Sequence, residues 1–192
     1  DFRFPLPALH EQQAIAAVLS SIDDLIELND SLARKCDQLA VGLWRRAVSN
    51  SDSAKKLVQC SEITLGGTPS RVRKDYWGGN IAWLNSGKAN DFRVVSESEW
   101  ISEEGLANSS TKLMKPGTTL LAITGATLGQ VSRLEIEACG NQSLIGVYNT
   151  DEVVNDYLFF AIRDQIHVLM QSATGGAQQH VCLLYTSDAA DD

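Results

Sequence analysis

The sequence predicts an α+β protein, with a long N-terminal coiled-coil-type helix followed by a mixed, β-rich globular domain. Three observations carry this expectation. Apolar residues recur at heptad spacing through the first fifty positions, with no proline between Pro7 and Pro69. A small, polar stretch, SNSDSAKK at 49–56, then breaks the pattern. Beyond it come several short apolar runs, most of them bounded by Gly, Pro or Asn, and one helical pattern. Strands therefore dominate, and few helices alternate with them.

The first segment opens on PLPALHEQQ. Pro5 and Pro7 set an extended lead-in, Pro7 suits a first helical turn, and the Glu11 carboxylate favours a helix N-terminus. Ile15, Ile22, Asn29, Cys36 and Leu43 recur every seventh residue, with Val18, Leu25, Leu32 and Leu39 three places later, which makes an a/d seam. Continuous from Ala8 to Val48, this helix would be about 60 Å long at ~1.5 Å per residue. A single apolar stripe of that length must pack against another long helix, either from elsewhere in the full protein or from a second chain. An amphipathic helix lying on its own domain is the alternative. Asn29 at an a position costs stability but can fix register by pairing with a polar partner. Ile15, Val18, Ile22, Leu25, Asn29, Leu32, Leu39 and Leu43 are thus the candidate helix-interface residues. Residues 1–54 make up lead-in, helix and linker.

Residues 55–180 form the second domain. Its strand candidates are VQCSEITL (58–65), NIAWLNS (80–86), TTLLAIT (118–124), GQVSRLEI (129–136) and SLIGVYN (143–149). Its best helix is 153–170, where Val154, Leu158, Ala161, Ile162, Ile166 and Leu169 fall on one face. The last stretch, CLLYTSDAADD, departs from the preceding composition and resembles translated sequencing-adapter read-through. Residues 181–192 are expected to be a tail outside the fold.

Composition narrows the function classes. With 44% apolar and 21% charged residues the chain reads as soluble and globular. No run approaches the roughly eighteen apolar residues of a membrane span. It begins at Asp1 without a signal-peptide pattern, which predicts an internal fragment of a cytoplasmic protein. Cys36, Cys60, Cys139 and Cys182 lie far apart without a CxxC, and His10, His167 and His180 are equally scattered, so neither a disulfide framework nor a metal site is expected. The net charge of −8 argues against a nucleic-acid partner, but its distribution does not. Residues 1–54 carry five basic and eight acidic side chains, residues 55–180 eleven and thirteen, and residues 181–192 none and three. The middle segment is close to neutral, and Arg71, Arg73 and Lys74 are concentrated in its opening loop.

Catalysis has no visible home. GGTPSR lacks the GK[ST] end of a P-loop, and TGATLGQ at 124–130 has its glycines at the wrong spacing for GxGxxG. No GxSxG, no HExxH and no compact Ser/His/Asp set occurs, and the carboxylate pairs Asp23/Asp24 and Glu103/Glu104 read as solvated faces. What the second domain offers instead is turns able to read base edges. Asn85, Ser86, Lys88 and Asn90 follow one strand, Asn141, Gln142 and Ser143 precede another, and Gln178, Gln179 and His180 follow Gly175 and Gly176. Tyr76 and Trp77 add flat surfaces. Ordinary turn chemistry accounts for the same residue types, so both readings stand at this level.

The order of motifs is more specific than any one of them. PLPALHEQQAIAAVLSSIDDLIELND is similar to the conserved helix of specificity subunits of type I restriction-modification systems. GGTPSR, DYWGGNIAWLNSGK, STKLMKPGT, AITGATLGQV, NQSLIGV and TGGAQQH then follow in the order of a target-recognition domain of those subunits, so the resemblance covers residues 4–180. It implies a non-catalytic subunit that reads one half of a split double-stranded DNA target. It also implies partners: methyltransferase subunits that use S-adenosylmethionine, and a motor/nuclease subunit. No cofactor would be bound by this chain itself. The fragment would hold the first conserved helix and the second recognition domain. With the intramolecular partner helix missing, self-association through the seam is expected. The DNA-contact candidates are Thr68, Ser70, Arg71, Arg73, Lys74, Tyr76, Lys88, Asn90, Gln178 and Gln179. A coiled-coil-tethered protein-interaction module, or the recognition tail of a fused methyltransferase-nuclease, is the alternative function.

Overall fold

The structure is a computed structural model and describes residues 3–49 and 56–171. The chain divides into two compact units, Asp1–Asp52 and Ser53–Asp192.

The first unit is helix α1, Leu9–Val48. Its start is built by the motif that precedes it: the Glu11 carboxylate accepts from the Ala8 N–H at 3.2 Å, and Gln12 Nε2 donates to the Pro7 carbonyl at 2.7 Å. Two of the backbone groups that a helix start leaves unpaired, or exposes in its lead-in, are thereby satisfied. Arg45 and Arg46 in the last turn complement the helix dipole. None of its forty residues is buried. The exposed apolar face is wider than the a/d seam expected from spacing, because Leu19 (56% exposed) and Ile26 (55%) flank Ile22 (48%) and Leu25 (59%) at e positions. The N-terminal half therefore carries three apolar positions per heptad, a stripe suited to a broad partner surface. Farther along, small Ala33 and Ala40 occupy the e positions, and the seam narrows to Leu32, Leu39 and Leu43.

The second unit is layered. It begins with a single helical turn, α2 (Leu57–Cys60), and then β1 (Glu62–Leu65). The strand expected from 58 thus starts four residues later. The Ser61 hydroxyl donates to the Leu57 carbonyl at 2.7 Å and holds the turn closed, while Leu57 and Cys60 pack against Val147, Leu158 and Ile162. The chain continues through β2 (Trp77–Leu84), β3 (Arg93–Val94), β4 (Glu99–Ile101), α3 (Glu103–Ala107) and β5 (Leu113–Met114). It ends with β6 (Thr119–Ala122), β7 (Val131–Leu134), β8 (Ala138–Gly140), β9 (Leu144–Tyr148) and α4 (Glu152–Gln171). One sheet has the order β1-β9-β6-β7-β3, antiparallel except for the β7/β3 pair. The other has the order β4-β2-β8-β5, antiparallel except for β2/β8.

The core lies between the two sheets. Leu120, Ala122 and Leu144 of the first meet Ala82, Leu84, Met114 and Ala138 of the second. On the opposite face of the first sheet, Leu121, Ile123 and Ile145 pack against Ile166, and Val147 packs against Leu158 and Ile162 of α4. Burial on both faces explains why β6 and β9 read as continuous apolar runs instead of alternating ones. The outer face of the second sheet, Trp83, Ile101 and Cys139, is covered by Trp77 and by Leu106 of α3. Asn155 is only 2% exposed, yet both ends of its amide are used: Oδ1 accepts from the Asn149 N–H, and Nδ2 donates to the Asn149 carbonyl. Among the described residues, no helix is long and apolar enough to cross a membrane.

Candidate nucleic-acid interface

Four polar loops of the second unit converge where β1, β2, β6 and β8 end and β9 begins. The hub is the turn 141–143. The Asn141 N–H donates to the Leu84 carbonyl at 2.9 Å, and the Ile123 N–H donates to the Ser143 carbonyl at 2.9 Å. From the first loop, the Gly66 N–H reaches the Leu144 carbonyl and the Gly67 N–H reaches the Gly140 carbonyl. Thr124 Oγ1 donates to Ser143 Oγ, and Thr68 Oγ1 donates to Gln142 Oε1, both at 2.5 Å. Loops 66–70, 85–90, 123–130 and 141–143, distant in sequence, are therefore one structure.

The glycine pair of GGTPS has a packing cause. A Cβ on Gly66 would overlap the Asn141 carbonyl oxygen and lie 2.6 Å from that of Gly140, and one on Gly67 would lie 2.5 Å from the Thr111 nitrogen. Both positions need hydrogen because backbone approaches backbone there. Pro69 is fully buried behind them, and Trp83 Nε1 donates to the Gly67 carbonyl at 3.0 Å. The outer side chains of the loop, Thr68 and Ser70, are exposed. In the second loop the Asn85 carboxamide oxygen accepts from the Gly87 N–H, which fixes the turn. Lys88 Nζ donates to Ser96 Oγ at 2.9 Å. Asn90 is exposed and lines a hollow of about 280 Å³ with Phe92, Gln130 and Arg163.

The basic segment differs from the open cluster of cations that its composition suggested. Arg71 makes two 2.6 Å hydrogen bonds to Glu99, and its guanidinium lies 3.5 Å from the Trp77 ring centroid. Arg73 pairs in the same two-pronged way with Asp75. Farther off, Arg93 pairs with Glu135, and Arg133 pairs with Asp156. Lys74, Lys88 and Lys112 have no carboxylate partner among the described residues. The flat surfaces expected of Tyr76 and Trp77 are not available for stacking. Tyr76 is 8% exposed, with Gly105 against its backbone and Cβ, because the single turn Lys74–Tyr76 directs it inward. Trp77 is sandwiched between Arg71 and Trp83, to which it packs edge-on at 5.2 Å. Gln178 and Gln179 lie outside the described residues. The DNA-contact candidates named from the sequence do not include Thr124, Gln142 or Ser143, although the 141–143 turn is among those able to read base edges. NQS and TGATLG carried the signal as turn motifs, but their meeting is a tertiary fact.

Hydrogen bonding from Arg71 holds the Glu99 carboxyl below its ordinary range against a smaller opposing effect of burial, and Arg73 does the same for Asp75. The Arg71–Glu99 pair is about half exposed, so solvent screens it and its worth is at most ~1 kcal/mol. A depressed carboxyl stabilises above its unfolded-state pKa and loses that contribution as pH falls through the folded one. The urea midpoint of Glu99→Gln should therefore lie slightly below that of the parent at pH 7, and the gap should close as pH falls below the ordinary carboxylate range. A gap that persisted in acid would place the effect in packing instead. Because such pairs are weak, an incoming phosphate can take Arg71 or Arg73 from its carboxylate at small cost.

Among the described residues, no group of three or more His, Cys, Asp or Glu side chains is placed to hold a metal ion. Cys139 is buried, and burial pushes its thiol up to about 11.

No family model matches the chain. It is 27% identical over 127 residues to the specificity subunit of the type I restriction enzyme MjaIX of Methanocaldococcus jannaschii, a match covering 64% of this chain and 29% of that protein. It is 26% identical over 118 residues to a type I restriction enzyme specificity subunit of Escherichia coli, covering 58% of this chain and 29% of that one. A crystal structure of the HsdS subunit from Thermoanaerobacter tengcongensis superposes with a TM-score of 0.46 at 18% identity, over 86% of this chain and 43% of that one. The chain thus spans less than a third of the length of these curated relatives.

Proposed function

We propose, for a chain related to the specificity subunits of type I restriction enzymes, that it reads DNA sequence and performs no catalysis itself. The observation that carries this is the convergence of four motif loops into one polar, solvent-facing cluster, with Lys88 on one of these loops and Lys74 just beyond another, neither paired with a carboxylate among the described residues. Neutral Thr, Ser, Asn and Gln side chains on rigid turns suit base edges and phosphates, and lysines beside them suit phosphate alone. The wider role follows from the same kinship. The β-rich unit would read one half of a bipartite double-stranded target. Helix α1 would dock methyltransferase subunits, which bring S-adenosylmethionine, and a motor/nuclease subunit would complete the complex. The protein-interaction module and the fused methyltransferase-nuclease tail are not favoured, since the two curated relatives described above are specificity subunits.

The decisive measurement is retention of duplex DNA from a random-sequence pool, followed across a salt series. Binding is expected, and Lys74→Ala with Lys88→Ala should lower the slope of log K against log salt by about two, since each phosphate contact contributes about one. The pair should weaken all sequences alike, because lysine at phosphate positions the protein without reading bases. Absence of any retained DNA would overturn the DNA-reading role. An unchanged slope would move the phosphate contacts elsewhere.

A further inference from the structure

The four converging loops have a fifth neighbour, segment 108–112, which leaves α3 and runs into β5. Its start is tied to the helix: Asn108 Nδ2 donates to the carbonyl and to the carboxylate of Glu104, and Ser109 Oγ donates to the Gly105 carbonyl at 2.7 Å. Its end is tied to the hub. Thr111, 1% exposed, donates through Oγ1 to the Gly140 carbonyl at 2.9 Å, the same carbonyl that accepts from the Gly67 N–H. A Cβ on Gly67 would lie 2.3 Å from Ser110 Oγ, so the segment lies directly against the GGTPS loop. Ser110 and Lys112, on either side of the buried threonine, are exposed. Neither side chain has a hydrogen-bond or carboxylate partner among the described residues.

Sheet order sets where this places them. β2 and β5 flank β8 on opposite sides, and the 141–143 turn continues from the end of β8. Leu84 is level with Gly140 in one pair and Leu113 with Cys139 in the other, so the register continued by one residue puts Lys112 beside Gly140. Lys88 therefore follows the end of β2 on one side of the turn, and Lys112 precedes β5 on the other. Two strand spacings of ~4.8 Å separate those strands by about 10 Å. The major groove is about 12 Å wide, with a phosphate strand along each wall.

We propose that Ser110 and Lys112 form a phosphate-binding site, and that Lys112 and Lys88 contact opposite DNA strands across the groove faced by the 141–143 turn. This rests on the DNA-reading role above and adds to it a fifth loop and a two-sided grip. The oxygens of a phosphodiester only accept, so the Ser110 hydroxyl serves them as a donor and the Lys112 ammonium as donor and charge. Neither contact reads a base; together they set how deeply the neutral turn enters the groove. Lys115 supplies the contrast. It lies at the other end of β5, 5.6 Å from the ring of Tyr148, where β9 has run its length away from the hub.

The test uses the full 192-residue chain and a duplex that it selects from a random pool. Lys112→Ala should lower the slope of log K against log salt by about one, Lys112→Arg should preserve it, and Lys115→Ala should leave it unchanged. Ser110→Ala should weaken binding to all sequences alike without altering the slope, because a neutral hydroxyl displaces no counterion. Phosphate-ethylation interference on each strand then reads the geometry. The parent should show interfering phosphates on both strands, Lys112→Ala should lose them on one strand, and Lys88→Ala on the other. Retained binding with an unchanged slope in Lys112→Ala overturns the site and leaves the DNA-reading role standing. Loss of interference on the same strand in both lysine variants overturns the two-sided grip. An equal fall in slope for Lys115→Ala would reduce the effect to net charge and overturn the site as well. A parent chain that retains no DNA removes the premise, and the inference with it.

Discussion

Gly66→Ala is expected to destabilise the β-rich unit by about 3 kcal/mol, the scale of forcing extra volume into a packed site that cannot yield. The atoms that an added methyl would meet are the Asn141 and Gly140 carbonyls, which belong to the backbone of the hub turn and cannot rotate away. Relief requires β1 to separate from the start of β9, which breaks the Gly66 N–H bond to the Leu144 carbonyl and shifts the base of the Thr68–Gln142 contact. The consequence is twofold. The urea midpoint should fall without a change in slope, and DNA retention should fall at conditions where the variant remains folded. A midpoint within experimental error of the parent would mean that the loops approach less closely than described.

Ile22→Glu with Leu25→Glu should weaken self-association of the chain by at least about a hundredfold. Both residues are about half exposed on α1, in the half of the helix where Leu19 and Ile26 widen the apolar face. Burying such a side chain contributes ~1.5–3 kcal/mol, and in a two-fold pairing each substitution acts on two copies. Two substitutions thus remove several kcal/mol, where about 1.4 kcal/mol is tenfold in affinity. Sedimentation velocity over a concentration series reads this directly. The parent is expected to show concentration-dependent association, and the variant a single monomeric boundary. A strictly monomeric parent at high concentration would count against the seam's pairing with a second copy and leave a different helix as its partner.

Several elements are legible in the amino-acid sequence alone. The seven-residue repeat from Ile15 to Leu43 located α1, and the apolar runs at 118–124 and 143–149 located β6 and β9, because periodicity and uninterrupted apolar character are local properties of a chain. Short elements were not legible. β3 and β5 are two residues long, and no period can be read from two residues. Leu57–Cys60 carries strand-forming residues, yet it closes into a helical turn under tertiary packing and a back-bonding Ser61.

The candidate interface divides along the same line. By itself the sequence determined the fold class, the motif order that relates the chain to specificity subunits, and the residue types able to meet DNA. Only the tertiary structure decided what each side chain is free to do. Arg71 is engaged by Glu99, 28 positions away, Tyr76 turns into the core, and Thr68 holds Gln142 across 74 positions. The reason is physical: a residue's chemistry is written in the chain, but whether a donor is already spent depends on which distant segment the packed sheets bring within 3 Å of it.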